Sequence, residues 1–430
     1  MKLSWLRAAF AFVALSIWTF ASPVVAQDQK AQAPSSVLDR ADELLGELSK
    51  ITGLPVRGPL QKRIVTRTQM NRHLAEALRT EYTPLELHVQ KATLEAFGLV
   101  TREFDLEKFL LDFLNEQAAG VYDPRQQVLL IADWLIPEMQ RQALAHELVH
   151  ALQDQNFDLE KFVKSTRDNA DMTTARQSVV EGYAMAAMTQ FMVGTPDPAS
   201  LPRLEPMLAP ALFQYMGEFP AFSAAPYFFR VQMMFPYLKG VSFIQDGLAR
   251  GGWKQLQGLF TRPPETTKEI IEPELYFDNK TMPKLVLPRP PSLAGVAGLR
   301  LLDENTMGAL GYAAMMGQLL SEESSRAASH GWQGDRYLLY ERTKPDAYLL
   351  IGRTRWSNGE AASAFFSDYR DILAKKVPSL AADPGSTADL YRGTAPSGQV
   401  VLIRKGEECL WAEGLPAESA DPILNWLKSL

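Results

Sequence analysis

Apolar residues recur at helical spacing from Val37 to Lys50, with Val37, Leu38, Ala41, Leu44, Leu45 and Leu48 on one face. Similar periodicity predicts helices over about 69–80, 84–97 and 105–114, and a short strand at Arg63–Arg67. Ala118–Tyr122, a turn at Asp123-Pro124 and Val128–Ile131 read as a β-hairpin. Pro137-Glu138 then opens a helix running to about Asp154, because a proline costs nothing in a first turn and an acid complements the helix dipole there. Another helix spans about 169–193, and 201–260 is apolar and mostly helical, punctuated by prolines. After the proline-rich run at 285–292, the pattern predicts a helix near 304–328 and strands at 335–340 and 347–352. A helix at 359–375, strands at 400–403 and 409–412 and a closing helix at 421–430 follow. Strands and helices in that order predict a small α+β unit with Leu338, Leu350, Val401 and Leu410 in its core.

The division expected is therefore 1–26, a leader with an N-terminal helix at 27–60, a mainly helical unit with a small N-terminal sheet at 61–284, a linker at 285–292, and an α+β C-terminal domain at 293–430. The first segment has a positive start at Lys2 and Arg7, an apolar run over 8–21 and small residues before a cut after Ala26, the pattern of a secretory signal peptide. That apolar run falls short of the ~20 residues needed to span a bilayer, so no membrane span is expected after cleavage. Cleavage removes two positive charges and takes the formal charge from −6 to −8. The expected location is secreted or periplasmic.

At 46% hydrophobic and 22% charged, the chain is too apolar for disorder, and its mild acidic excess argues against nucleic acid as a partner. Its single cysteine, Cys409, excludes an intramolecular disulfide and any cysteine-rich cluster, so a metal would need His, Asp and Glu. Only five histidines are present, and two of them stand four apart in His146-Glu147-Leu-Val-His150, inside a helical pattern. Residues i and i+4 share a helix face, so both imidazoles can reach one cation at about 2.0–2.1 Å. Leu144, Leu148 and Leu152 form a separate stripe that buries another side. Glu147, beside the first ligand, is placed to take a proton from water at the metal rather than to bind it.

A catalytic zinc needs a third protein ligand. Gln153 and Asn156 stand where a metzincin would have Gly and His, so that ligand comes from elsewhere. Asp154, one turn beyond His150, is within reach, although a carboxylate there more often orients a ligand imidazole. Glu181 lies mid-helix among apolar residues, where an unpaired carboxylate is expensive; its competing reading is a solvent-facing charge. Gly182 and Ala184 would let that helix approach another closely. The hairpin over 117–132 is either an ordinary strand pair or an edge on which an extended substrate could add.

His146-Glu147-x-x-His150 with Glu181-Gly182-x-Ala184 downstream resembles the gluzincins, the thermolysin-like zinc metallopeptidases. The resemblance covers roughly 60–195 and implies a zincin-like fold with His146, His150 and Glu181 holding Zn2+ and Glu147 as base. Two departures are the 31-position gap from His150 to Glu181, longer than in thermolysin, and Met185 four residues after Glu181 where an Asp is usual. More of the chain resembles a group of largely uncharacterised bacterial secreted proteins. The resemblance lies in Ala145–Gln155, Phe235–Gly240, Gly251–Trp253, Pro263-Pro264 through Glu272-Pro273, and Gly331–Arg336; in that group a His usually stands where this chain has Glu272.

The sequence thus predicts a zinc-dependent peptidase acting on a polypeptide substrate, with Tyr237, Tyr183 and His330 as candidates to stabilise the oxyanion. Two rival readings are a noncatalytic zinc-stabilised envelope protein that binds partners through its C-terminal domain, and a metallohydrolase of a non-peptide amide or ester.

Overall fold

The computed structural model describes Phe12–Val13 and residues 37–430 apart from 167, 294–297 and 344–345. The remainder of the expected signal peptide and the 27–36 leader lie outside the described residues. The elements, in chain order, are β1 (Phe12–Val13), α1 (Ala41–Thr52), β2 (Gln61–Val65), α2 (Arg67–Glu81), α3 (Pro84–Ala96), α4 (Leu106–Gln117), β3 (Gly120–Asp123) and β4 (Val128–Ala132). Helices dominate next, as α5 (Pro137–Phe157), α6 (Leu159–Lys164), α7 (Ala170–Val193), α8 (Leu204–Gly217), α9 (Pro220–Ala224), α10 (Tyr227–Leu256), α11 (Thr267–Ile271) and α12 (Pro273–Phe277). The C-terminal part comprises β5 (Leu299–Asn305), α13 (Gly308–Leu319), α14 (Glu322–Gly331), β6 (Trp332–Thr343), β7 (Asp346–Trp356), α15 (Gly359–Lys376), β8 (Ala381–Ala382), β9 (Leu390–Ala395), β10 (Gly398–Lys405), β11 (Glu408–Leu415) and α16 (Ala420–Ser429). This is the α+β class expected, helical first and then an antiparallel sheet. No helix among the described residues is long and apolar enough to cross a membrane.

The small sheet runs β1-β3-β4-β2. The expected hairpin pairs Tyr122 with Leu129, β2 joins parallel to β4, and β1 pairs antiparallel with β3, Phe12 opposite Tyr122. Local chemistry sets the helix starts. Thr66 with Gln69 and Thr83 with Glu86 form capping boxes for α2 and α3, and Pro137 takes the first position of α5.

Two helices form the centre of the helical part. Every residue from Ala143 to Gln153 on α5, and from Ser178 to Gln190 on α7, is buried. The leucine stripe therefore buries one side of a helix that is covered all round. α10 crosses α7 where two glycines meet: a Cβ on Gly182 would sit 2.2 Å from the Gly240 carbonyl carbon, and one on Gly240 2.3 Å from the Ser178 oxygen. The close approach anticipated from Gly182 is thus to the helix that carries Tyr237.

In the C-terminal part the sheet order is β5-β6-β7-β11-β10-β9-β8, antiparallel throughout. Alternation along its strands gives two buried faces. Tyr337, Leu339, Leu350, Leu402 and Trp411 join the main core with α13 and α15, while Leu338, Val401, Ile403 and Leu410 pack with α16 residues Ile423 and Leu427. The four residues expected in this core are all buried, three on the α16 face and Leu350 on the other. The helix expected near 304–328 is instead the end of β5 followed by α13 and α14. Strand β5 exists because Asp303 and Asn305 are satisfied by distant partners, Tyr337 and the backbone N–H of Ala170.

Candidate metal centre

Helices α5 and α7 bring His146, His150 and Glu181 together, and their ligand atoms all lie within 4.8 Å of one another. His146 Nε2 is 3.2 Å from Glu181 Oε2 and 3.0 Å from His150 Nε2, and His150 Nε2 is 3.5 Å from Glu181 Oε2. At 4% exposure, Glu181 is no solvent-facing charge. Around a tetrahedral ion with bonds of about 2.0–2.1 Å, neighbouring ligand atoms lie about 3.3 Å apart, and the three distances bracket that value. Two imidazole nitrogens and a carboxylate oxygen are also the donors that zinc accepts. Among the described residues this is the single group of three or more His, Cys, Asp or Glu side chains that could hold a metal.

Electrostatics fit the same purpose. Burial, with the charge of His150, lowers the His146 pKa and favours the neutral imidazole that a metal requires, despite the opposing hydrogen bond to Glu181. For Glu181, burial pushes the carboxyl up, but the His150 charge and hydrogen bonds to both imidazoles outweigh it and bring the group down to about 2.

Glu147 is fully buried and is not one of the three. Its Oε2 accepts the backbone N–H of Tyr122 on β3 at 2.6 Å. The strand can come so near because residue 120 is glycine: a Cβ there would lie 3.1 Å from Glu147 Cγ and equally close to Ile131 Cδ1. Strand β3 thus fixes the position of this carboxylate.

Asp154 does not orient a ligand imidazole. It accepts the Tyr122 hydroxyl at 2.8 Å and the Leu159 N–H at 3.0 Å, tying β3 and the start of α6 to the end of α5. The residue at His150 Nδ1 is Gln153, whose Oε1 is 2.8 Å away. Gln153 lies at i+3 from His150 and so on the same side of the helix, but an amide is a weaker sequence signal for orienting a ligand than the carboxylate of Asp154 one position on. The Tyr122 contact uses backbone alone and left no sequence signal.

Of the three oxyanion candidates, Tyr237 lies at the site, with its ring centroid 6.5 Å from that of His146. Burial, reinforced by the charges of Glu181 and Glu147, raises its pKa far above the ordinary value and keeps the hydroxyl protonated. Tyr183 packs against Trp253 and Phe260. His330 is mostly exposed and lies 3.0 Å from Glu272, which also accepts from Lys268 at 2.6 Å, so Glu272 serves an ion-pair cluster between α11 and α14.

A cleft of about 320 Å3 leads outward from Glu181 and Tyr237. Leu159, Val163, Met233 and Pro236 give it apolar walls, and its rim carries Glu81, Arg125, Glu160 and Lys164. Arg125 and Lys164 each pair with both acids, so the rim compensates its own charge.

A buried His-His-Glu group on two packed helices, with a further Glu held by a strand, is the arrangement of a metal-dependent peptidase-like centre. Comparison with known families agrees: residues 94–189, from α3 to α7 with all four side chains, match the peptidase M78 family, described as an IrrE N-terminal-like domain. Residues 299–423 match a domain of unknown function, DUF8575. No curated protein and no solved structure matches the chain.

Proposed function

We propose that the chain is a secreted or periplasmic zinc-dependent peptidase of the gluzincin arrangement, with His146, His150 and Glu181 as ligands and Glu147 as general base. The observation that carries this reading is the convergence of three ligand atoms at the spacing of a tetrahedral ion, beside a carboxylate that is not among them. Zinc, when bound, would supply a Lewis acid that acidifies water and polarises the scissile carbonyl. Glu147, held in place by the Tyr122 N–H, takes the proton from the attacking water and passes it to the leaving amine. The protonated Tyr237 hydroxyl donates to the oxygen on which negative charge develops.

The outer edge of β3 supports a peptide substrate. It already pairs with an extended segment, Phe12–Val13, and cleavage after Ala26 would remove that segment and leave the edge open to a substrate strand. We further propose that the chain divides at 285–292 and that the C-terminal unit positions substrate or partner without doing chemistry. The test is digestion of a peptide library by the purified protein. Cleavage that disappears on chelation and returns with zinc is the expected result; a zinc-loaded protein that cleaves no peptide would overturn the reading, and hydrolysis of small esters or amides alone would move it to another class of substrate.

A further inference from the structure

Gln153 is fully buried and makes two hydrogen bonds whose directions constrain each other. Its Nε2 donates to the backbone carbonyl of Val180 on α7 at 3.1 Å. A carbonyl oxygen only accepts, so the amide edge facing Val180 must be the NH2, and the other edge, Oε1, must face His150. That oxygen lies 2.8 Å from His150 Nδ1 and is likewise only an acceptor, so Nδ1 must carry the proton. A metal ligand must be a neutral imidazole, and in that form a proton on Nδ1 leaves the lone pair on Nε2. This is the nitrogen that lies 3.0 Å from His146 Nε2 and 3.5 Å from Glu181 Oε2.

We propose that Gln153 is a positioning residue that holds His150 as the Nδ1–H tautomer with its lone pair aimed into the ligand cluster. The same side chain ties this imidazole to α7 at Val180, immediately before Glu181. One amide therefore registers a ligand on α5 against the helix that supplies the ligand from α7. Asp154 is directed elsewhere, its two oxygens accepting from the Tyr122 hydroxyl and the Leu159 N–H. The proposal rests on the reading of His150 as a metal ligand, but not on peptide hydrolysis.

The experiment has two readouts, neither of them activity. In the full chain stripped of metal and labelled with 15N-histidine, long-range proton–nitrogen spectra should show His150 with Nδ1 protonated and Nε2 bare. The Gln153→Leu variant should shift it toward the Nε2–H form, whereas Gln153→Glu, which loses the donor to Val180 but can still accept from Nδ1–H, should keep the proton on Nδ1. Zinc affinity of Gln153→Leu, measured by chelator competition on the folded fraction, should fall about 10–100-fold, the usual cost of losing a partner that orients a ligand. A wild-type His150 in the Nε2–H form would overturn the proposal, and so would unchanged zinc affinity in a folded Gln153→Leu, since a purely structural role would lower stability alone. If Gln153→Leu fails to fold, the wild-type spectrum and Gln153→Glu still decide. A wild-type protein that shows the tautomer and binds zinc yet cleaves no peptide would support the role of Gln153 while overturning the peptidase reading.

Discussion

Glu181 in the helical part and Asp335 in the C-terminal sheet are both buried carboxylates, at 4% exposure each, and their surroundings differ in kind. Asp335 accepts from the N–H groups of Met307 and Gly308 and from the Trp332 indole, at 2.8–3.0 Å. Asp303 nearby accepts from the Tyr337 hydroxyl at 2.6 Å and the Glu304 N–H. Glu181 instead converges with two imidazole nitrogens, all three ligand atoms lying within 4.8 Å of one another. The protein's own donors complete the first kind of site, which holds β5, α13 and β6 in place. The second kind brings together two imidazole nitrogens and a carboxylate oxygen, donors that a metal ion accepts. Burial of a charge therefore does not mark a functional site; the arrangement of its partners does.

This contrast fails or sharpens on substitutions at the two sites. The largest effect expected is on zinc binding: Glu181→Gln should weaken it by about 100-fold or more, read by metal analysis and chelator competition, because the amide removes the anionic ligand. Asp335→Asn should lower stability and leave zinc stoichiometry intact. Full zinc retention in Glu181→Gln would erase the distinction. Next in size, Gly182→Ala should cost about 3 kcal/mol in denaturant unfolding, since its methyl meets the Gly240 backbone and α7 cannot yield without moving Glu181. A loss under about 0.5 kcal/mol, within the range of ordinary surface changes, would show that the helix crossing is looser than it looks.

A further effect is in pH dependence. Burial raises Asp303 to about 7, against about 3.9 in an unfolded chain. Between those values the folded protein keeps a proton that the unfolded chain releases, so this group's contribution makes stability fall as pH rises from about 4 to 7 and level off above. Urea midpoints measured across that window should show a shallower decline for Asp303→Asn than for wild type. An unchanged slope would mean that Asp303 is charged in the fold.

What the sequence disclosed follows the reach of each interaction. His146, Glu147 and His150 were legible because their geometry is set within one helical turn, and Glu181 because its apolar neighbours left little room for a solvated charge. Gln153 and the Tyr122 N–H were not legible, since their roles depend on hydrogen-bond direction and on partners, Val180 and Glu147, that lie on another element. In the C-terminal part, β6, β7, β10 and β11 showed through their short apolar runs. Strand β5 did not, because Asp303-Glu304-Asn305 is polar and is made tolerable by Tyr337, Arg336 and Ala170 far along the chain. Strands β8 and β9 were too short or too polar to register.

The central claim is that Glu147 acts as a base beside the metal ligands and not as one of them. The measurement that tests it most directly is peptide turnover by Glu147→Gln at full zinc occupancy. The amide can still accept the Tyr122 N–H but cannot take a proton from water, so turnover should fall by about 10²–10⁴-fold with zinc content unchanged. Hydrolysis at the wild-type rate by the zinc-loaded variant would contradict the account.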